Sequence, residues 1–282
     1  MTNDCLPAHG RVNCSRCYVD QFVEFDATQR TEGNWRITAN PLAWGGRNPE
    51  VVVLGFSKGS MQTAALEKQA HDAIAFAGGR TQLGKILSHV GLIESGTNEE
   101  LKRQVDALIA NQNGRFHFGS LIRCTVQQWD GNKWGSSGNG MLDKFVATPF
   151  GKSVVSNCVR RFLVQLPASV RLVILLGLGK DQGYVEAAKN FIRQTRLGAW
   201  KDVNRVAYTD GKVTFVHTEH FKAQGALLPQ WLGQKDHPRR RFGELAREAV
   251  QGAFLSRGSE VSQSGAIAKL STEGKGDEPR QS

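Results

Sequence analysis

Two cysteines near the N-terminus, Cys14 and Cys17, are separated by two residues and offer the most distinctive chemistry in this sequence. A C-x-x-C pair binds a metal ion or an iron–sulfur cluster, or carries thioredoxin-like redox chemistry when it lies in a βαβ unit. No βαβ pattern surrounds this pair, so ligation is favoured over redox chemistry. Cys5, Cys124 and Cys158 are the remaining candidate ligands.

The cysteine count and the N-terminal residues indicate the cellular setting. An odd number of cysteines, five, and the lack of a hydrophobic signal region argue against a disulfide framework. No apolar run approaches the ~20 residues that a membrane span needs. We therefore expect a cytoplasmic protein that does not enter the membrane. We also expect a monomer.

The charge balance indicates a polyanionic partner. The formal net charge is +10 at pH 7, and three arginines are consecutive at Arg239, Arg240 and Arg241. Basic side chains that neutralise phosphates release counterions, which supplies affinity without a sequence code. A soluble basic surface without such a partner is the alternative. The arginine run itself is a phosphate contact, part of a wedge loop, or a solvated run of charges.

Buried strands that end in ligand-binding residue types predict the fold class. The apolar run 51–54 lacks alternation, which is typical of a strand covered on both faces, and it ends in the loop 55–59. Further strands are predicted over 115–123, 172–177 and 214–216. With helices predicted between them, they favour an α/β sandwich with a mostly parallel central sheet. The ends of the strands at 55–59, 119–120 and 217–220 are expected to line one cleft.

Three regions are predicted along the chain. Residues 1–50 lack periodic hydrophobes and are interpreted as an irregular, cysteine-containing arm that is packed on the core and pinned by metal. Residues 51–255 form the α/β domain, and residues 256–282 are polar, free of aromatics and expected to be disordered. Predicted helices cover 61–76, 81–90, 98–110, 152–166, 181–195 and 242–255. Residues 127–151 are expected to be a functional or disordered excursion.

Six short segments, in order, carry a resemblance to a known family. Gly55-Phe56-Ser57-Lys58-Gly59 is similar to Gly-Glu-Ala-Pro-Gly, Phe76-Ala77-Gly78 to Phe-Val-Gly, and Phe118-Gly119-Ser120-Leu121-Ile122-Arg123-Cys124 to Ile-Thr-Asn-Val-Val-Lys-Cys. Cys158 with Phe162-Leu163 is similar to a Cys-x-x-x-Phe-Leu-type helix, Leu175-Leu176-Gly177 to a Leu-Gly strand end, and Thr218-Glu219-His220-Phe221 to Thr-Tyr-His-Pro. With four cysteines in place, the set resembles the uracil-DNA glycosylase superfamily, most closely its iron–sulfur-containing family 4, over roughly residues 12–255.

The resemblance implies a three-layer α/β/α sandwich, a DNA partner and an enzyme that flips a base out of the helix. It implies that Cys14, Cys17, Cys124 and Cys158 ligate a four-iron four-sulfur cluster, with Cys5 as a spare thiol. The cysteines by themselves suit either a cluster or structural zinc. The resemblance also implies that Phe76 stacks on the extruded base.

The resemblance further implies that His220 donates a hydrogen bond to the base O2 while the glycosidic bond breaks, which is electrostatic stabilisation of the transition state. His217 is a rival for this role. Phe56 is a second candidate for stacking on the base. Lys58 is expected to face the sugar, as a phosphate contact or as an amine nucleophile.

Departures from the family pattern point to an unusual base. Phe56 and Ser57 stand where the family has the carboxylate or amide that positions water, and Ser120 replaces the amide that reads the base. Because a hydroxyl is smaller and both donates and accepts, we expect a roomier pocket. The predicted substrate is a modified pyrimidine larger than uracil, such as a hypermodified phage base, whose removal would serve antiviral defence. The alternatives are ordinary repair of uracil or a damaged base, and a protein that binds a modified base without cleaving.

Several polar and aromatic residues have open roles. Replacement groups for positioning water are Asp72, Asp181 and Glu219. Trp129 and Trp134 either line an enlarged pocket or pack the excursion against the core. A covalent trap for the sugar is disfavoured, because the Arg-rich loop of the branch that forms one is missing.

Overall fold

A computed structural model of the protein describes residues 6–19, 21–66, 68–136, 141–223 and 225–255. Cys5 and the predicted disordered tail at 256–282 lie outside the described residues. The strands are, in chain order, β1 (Gly10–Arg11), β2 (Gln29–Glu32), β3 (Trp35–Thr38), β4 (Leu42–Gly45), β5 (Val51–Gly55), β6 (Phe116–Ser120), β7 (Thr125–Trp129), β8 (Trp134–Gly135), β9 (Leu172–Leu176), β10 (Lys201–Asn204), β11 (Ala207–Thr209) and β12 (Thr214–Thr218).

The helices are α1 (Ser60–Ala65), α2 (His71–Ile74), α3 (Arg80–His89), α4 (Asn98–Ala110), α5 (Met141–Ala147), α6 (Pro149–Phe162), α7 (Gly183–Thr195), α8 (Leu227–Trp231) and α9 (Arg240–Leu255), with a 3₁₀ turn at Lys180–Gln182. Helix α4 has the bounds that its apolar spacing predicts. Its N-terminus is fixed by a capping box, in which Thr97 and Glu100 satisfy each other's backbone N–H groups.

An eight-stranded mixed sheet, flanked by helices, has the strand order β1-β4-β6-β5-β9-β12-β11-β10. Its four central strands, β6, β5, β9 and β12, are parallel, and the pairs at both edges are antiparallel. The register pairs Gly55 with Ser120 and Leu176 with Thr218. The carboxyl ends of the four parallel strands therefore meet at one edge of the sheet.

Strand β5 explains why helices cover both faces of the sheet. Val51 and Val53 belong to a hydrophobic cluster with α3, α4 and α9, whereas Val52 and Leu54 belong to a second cluster with α5, α6 and α7. Successive side chains of a strand point to opposite faces, so an unalternating apolar run has to be covered twice. The prediction of a strand that is buried on both faces is confirmed.

The structure corrects the interpretation of two segments. Within the described residues, 12–19 and 21–28 contain no helix or strand, as expected, but β1 and β4 extend the main sheet, and β2 and β3 pair with β7 and β8 in a second, four-stranded sheet. The excursion predicted over 127–151 contains part of β7, all of β8 and α5. Both corrections have one physical cause, because short strands with mixed polarity gain their stability from neighbours that are distant in sequence. Trp35 and Gln128, for example, are register partners.

Two smaller corrections concern helices. The helix predicted over 61–76 consists of two short helices, α1 and α2, and the loop-like region after residue 221 includes α8. Within the described part of the chain, no helix combines the length and the apolar character that crossing a membrane requires.

Candidate active site and cysteine cluster

The carboxyl ends of β5 and β9 form a topological switch point. From β5 the chain continues to β6 on one side, whereas β9 and β12 lie on the other side. Helices that leave neighbouring strands in opposite directions open a crevice at such a point, and ligands bind there in open α/β sheets. We therefore expect a crevice between the loop 56–59 after β5 and the loop 177–183 after β9.

Phe76 and Ser120 lie together above the end of β5. A Cβ atom built on Gly55 would lie 3.9 Å from Ser120 Oγ and 4.0 Å from the Phe76 ring. Phe76 has a φ of 51°, which is costly for a bulky residue and is found where the surroundings enforce it. Its ring packs edge-on against Phe118 and Phe221, with centroid distances of 5.9 and 5.4 Å. The fold therefore brings two of the predicted base-binding residues together.

His220 follows β12 at the same edge of the sheet. Its Nδ1 accepts a hydrogen bond from the backbone N–H of Lys222 at 3.1 Å, so the neutral ring carries its proton on Nε2. Burial, together with the positive charge of Lys222, lowers the pKa of His220 to about 4. The imidazole is therefore neutral near pH 7, and its Nε2–H is available as a hydrogen-bond donor.

His217 has a different environment. It is fully buried; its Nδ1 lies 3.2 Å from the carbonyl oxygen of Gly177, and its Nε2 lies 3.4 Å from the Tyr208 hydroxyl. The ring donates to the carbonyl and accepts from the hydroxyl, and burial lowers its pKa to about 4. Both nitrogens have protein partners, so His217 is a satisfied core histidine and leaves the candidate catalytic role to His220.

Glu219 and the arginine run are linked by ion pairs. Glu219 is buried: its Oε1 accepts from the backbone N–H of His220 at 2.9 Å, and its Oε2 lies 2.6 Å from Arg239 Nε. Arg240 pairs with Glu244, and Arg241 pairs with Glu244 and Glu248. Glu219 is therefore committed to holding the backbone of His220, and all three arginines already have carboxylate partners.

The loop after β5 directs its side chains differently from the sequence interpretation. Phe56 packs edge-on against Phe145 and Tyr184, in the hydrophobic cluster on the face opposite Phe76. Ser57 is half-buried in the loop. Lys58 does not face a sugar: it is 2% exposed, its Nζ donates to the carbonyl of Arg123, and burial lowers its pKa to about 8.

The four cysteines of the resemblance come from three parts of the chain and are neighbours in the structure, and we call them the cysteine cluster. Burial raises the pKa of Cys158, and Cys124, Cys17 and Cys14 raise it further. Burial likewise raises the pKa of Cys17 to about 11, with Cys124 and Cys14 as neighbours, and that of Cys124, with Cys14 nearby. Every pair of these thiols is thus close enough to interact. Such buried thiols stay protonated unless a metal displaces the proton.

Cationic groups surround this cysteine cluster. Lys58 and Arg123 are each 2% exposed, and within the described ranges no carboxylate lies within 4 Å of either. Arg123 Nε has no hydrogen-bond partner, and its side chain passes so close to Gly119 that any Cβ there would collide. A buried cation requires nearby negative charge. Thiolates of a metal centre supply that charge, so the donor set and its surroundings fit an anionic metal–thiolate group.

Zinc sites and iron–sulfur clusters differ in the spacing of their thiolates. Three thiolates on one tetrahedral zinc would lie ~3.8 Å apart. Among the described residues, the group with three potential ligand atoms within 4.8 Å of one another is His9, His71 and Asp72, and no cysteine trio meets that limit. In a four-iron cluster each thiolate binds a different iron, so the sulfurs are farther apart. The described cysteine sulfurs are therefore not arranged for a single zinc ion.

Asp72 is occupied at a distance from the crevice. Its Oδ1 lies 2.8 Å from His9 Nε2, while His9 Nδ1 accepts from the backbone N–H of Gly45 at 3.3 Å. These contacts place Asp72 beside β4. His9 Nε2 thus faces Asp72 Oδ1 as an ion-pair contact, and Oδ1 makes no hydrogen bond of normal geometry.

Asp143 is a functional candidate that the sequence interpretation missed. Its Oδ1 is buried without a hydrogen-bond partner and would lie 3.1 Å from a Cβ on Gly179. The loop beside it contains two non-glycine residues with positive φ, Asp181 at 48° and Gln182 at 64°. Asp181 itself is exposed. No motif surrounds Asp143 in the sequence; only the packing of α5 against α7 brings it to the loop after β9.

Trp129 and Trp134 pack against each other at the end of the second sheet, with ring centroids 5.5 Å apart. The guanidinium of Arg36 makes a cation–π contact with Trp134, with its Cζ 4.4 Å from the ring centroid. Both contacts belong to the β3–β7–β8 sheet, so these tryptophans secure that sheet.

Comparison with known proteins assigns no family to the chain. No protein-family model matches it, and no curated protein sequence matches it significantly.

Proposed function

We propose that the chain is a DNA glycosylase with the three-layer α/β/α architecture of the uracil-DNA glycosylase superfamily. It extrudes a modified pyrimidine larger than uracil and hydrolyses the N-glycosidic bond, leaving an abasic site. The observation that carries the proposal is His220: a neutral ring with its proton on Nε2, at the carboxyl ends of the parallel strands, where a crevice is expected. The formal net charge of +10 supports a DNA partner.

The mechanism begins with the extruded base stacked on Phe76 and reached by the Ser120 hydroxyl. As the bond between the sugar C1′ and the base nitrogen breaks, the bonding electrons stay with the base and the sugar becomes oxocarbenium-like. His220 Nε2–H donates to the base O2, where negative charge accumulates. Such a donor contributes typically 10²–10³ in rate. Water then bonds to C1′, and its proton passes to a carboxylate; we assign that role to Asp143.

Two features of the crevice support a base other than uracil. Ser120 is a small group with both donor and acceptor capacity, so it leaves room for a substituent. The residues Phe56 and Ser57 carry no carboxylate, and the Phe56 ring is turned away from Phe76. Hydrolysis by water is favoured over an amine nucleophile, because Lys58 is buried against the carbonyl of Arg123.

The cysteine cluster has a structural role in this proposal. Cys14, Cys17, Cys124 and Cys158 would hold a four-iron four-sulfur cluster, with structural zinc as the alternative. When bound, such a cluster fastens the N-terminal segment to α6 and to the segment after β6, and its negative charge balances Lys58 and Arg123. It takes no part in the reaction at the crevice.

The test is base excision from a panel of DNAs. Duplex and single-stranded oligonucleotides would carry uracil, hydroxymethylated pyrimidines or glucosylated phage bases, and alkali would reveal abasic sites. We expect cleavage confined to a bulky base, lost in His220→Ala and retained in the core variant His217→Gln. Cleavage of uracil would instead assign the protein to ordinary repair.

A second candidate function is a protein that binds a modified base without cleaving. Ser57 favours it, since a hydroxyl stands where the resembling family has its water-positioning group. Tight binding of one modified DNA without abasic sites, unchanged in Asp143→Asn, would replace the enzyme proposal with this one.

A further inference from the structure

An arginine-rich groove lies away from the crevice. It encloses about 510 Å³ and is lined by residues from the N-terminal segment, from the turn before β5 and from the end of α6. Five of its lining residues are arginines, and none is acidic: Arg11, Arg16, Arg47, Arg160 and Arg161. We call it the arginine groove.

Most of the arginine groove is at the opposite edge of the sheet from His220. Arg47 precedes β5, which begins at Val51, and Gly46 beside it donates to the carbonyl of Phe116, the first residue of β6. Arg160 and Arg161 are in the last turn of α6, from which the chain runs to the start of β9. Arg47, Arg160 and Arg161 are therefore at the amino ends of the parallel strands, whereas the crevice is expected at their carboxyl ends. Arg11 is the exception, because it pairs with Leu42 at the start of β4.

Within the described residues, the arginines of the arginine groove have no ion-pair partner. All five arginines are exposed, and in the described parts of the chain no carboxylate lies within 4 Å of any of them. The run at residues 239–241 is the opposite case, because each of its arginines pairs with a glutamate. The helix dipole favours Arg160 and Arg161 at the end of α6. It does not account for Arg11, Arg16 or Arg47, which lie outside helices.

We propose that the arginine groove binds the phosphodiester backbone of a nucleic acid, as a second contact remote from the crevice. Guanidinium groups bind phosphate oxygens in a bidentate manner, and their mutual repulsion in the free protein is relieved when phosphates enter. An open groove with donors along its length suits a chain of phosphates. The inference does not depend on the chemistry at His220, because backbone binding needs no modified base.

The experiment compares wild type with Arg160→Gln/Arg161→Gln and, separately, Arg47→Gln. A control variant, Arg103→Gln/Lys201→Gln, removes the same formal charge as the double variant from exposed sites outside the groove. Binding of fluorescein-labelled, unmodified DNA, duplex and single-stranded, is followed by anisotropy over roughly 50–200 mM salt. Circular dichroism checks that each variant is folded.

We expect the double variant to reduce the slope of log affinity against log salt by ~1.8 for duplex DNA, since each lost phosphate contact accounts for ~0.9. Arg47→Gln should reduce it by about half that amount, and the control should retain the wild-type slope. Equal slopes in groove variants and control would overturn the proposal. A groove-dependent site for tripolyphosphate, with DNA binding unaffected by either variant, would also overturn it and reassign the groove to a small polyphosphate.

Discussion

The protonation state of His220 makes the most direct prediction about catalysis. Burial and the charge of Lys222 lower its pKa to about 4. At that pKa about one ring in a hundred is protonated at pH 6, and about one in a thousand at pH 7. If the neutral ring donates to the base O2, the contribution of His220 to the rate stays constant from pH 8 down to pH 5 and halves only at about pH 4.

The opposite dependence would follow if the protonated ring were the catalyst. Because the protonated fraction falls tenfold per pH unit above the pKa, the rate would fall tenfold per unit between about pH 5 and pH 8. Single-turnover excision from the competent substrate across that range separates the two cases, and a tenfold fall per unit would refute the neutral-donor mechanism. His220→Ala should lower the rate by ~10²–10³, and a loss below about threefold would refute it as well.

The tautomer can be tested without a substrate. Long-range ¹H–¹⁵N spectra of the imidazole nitrogens should show His220 protonated on Nε2 and His217 protonated on Nδ1, as their contacts require. Lys222→Met removes the neighbouring charge and should raise the pKa of His220 towards its ordinary value. An Nδ1 proton on His220 would contradict the assignment of Nε2 as the donor.

Three further predictions concern the other parts of the site. Phe76→Asn removes the ring but keeps a residue type that tolerates positive φ, so it should weaken binding of modified DNA by ~1–3 kcal/mol. Its thermal unfolding temperature should change less than that of Phe76→Val. Unchanged binding of modified DNA would exclude the stacking role. Asp143→Asn should lower kcat with KM nearly unchanged, and an unaltered kcat would exclude it as the water-positioning group. Purified protein should contain about four irons and absorb near ~400 nm, and Cys158→Ser should lose both; one zinc and no colour would replace the cluster with zinc.

Local sequence was sufficient for the elements that carry their own signal. The run Val51–Gly55 is apolar without alternation, and such a strand is stable only when both faces are covered, as they are here. Helix α4 has both its apolar spacing and its capping box within 14 residues from Thr97 to Ala110, so its bounds follow from nearest neighbours. The C-x-x-C spacing likewise marked Cys14 and Cys17 as a pair.

Long-range packing decided which residues share a site. Cys124 and Cys158 join Cys14 and Cys17 only because α6 packs beside the segment that follows β6. Asp143 reaches the loop after β9 only because α5 packs against α7. Neither contact leaves a periodic trace in the sequence, since each depends on strand order and register rather than on neighbouring residues.

The direction of side chains in the loops was also decided by tertiary structure. Lys58 is turned inward to the carbonyl of Arg123, and Arg239 is drawn from its basic run to the buried Glu219. His217 and His220 are three residues apart, yet one is a satisfied core residue and the other is a donor at the edge of the sheet. Sequence identifies groups able to do chemistry, whereas burial and the partners supplied by distant segments determine which of them remain available for it.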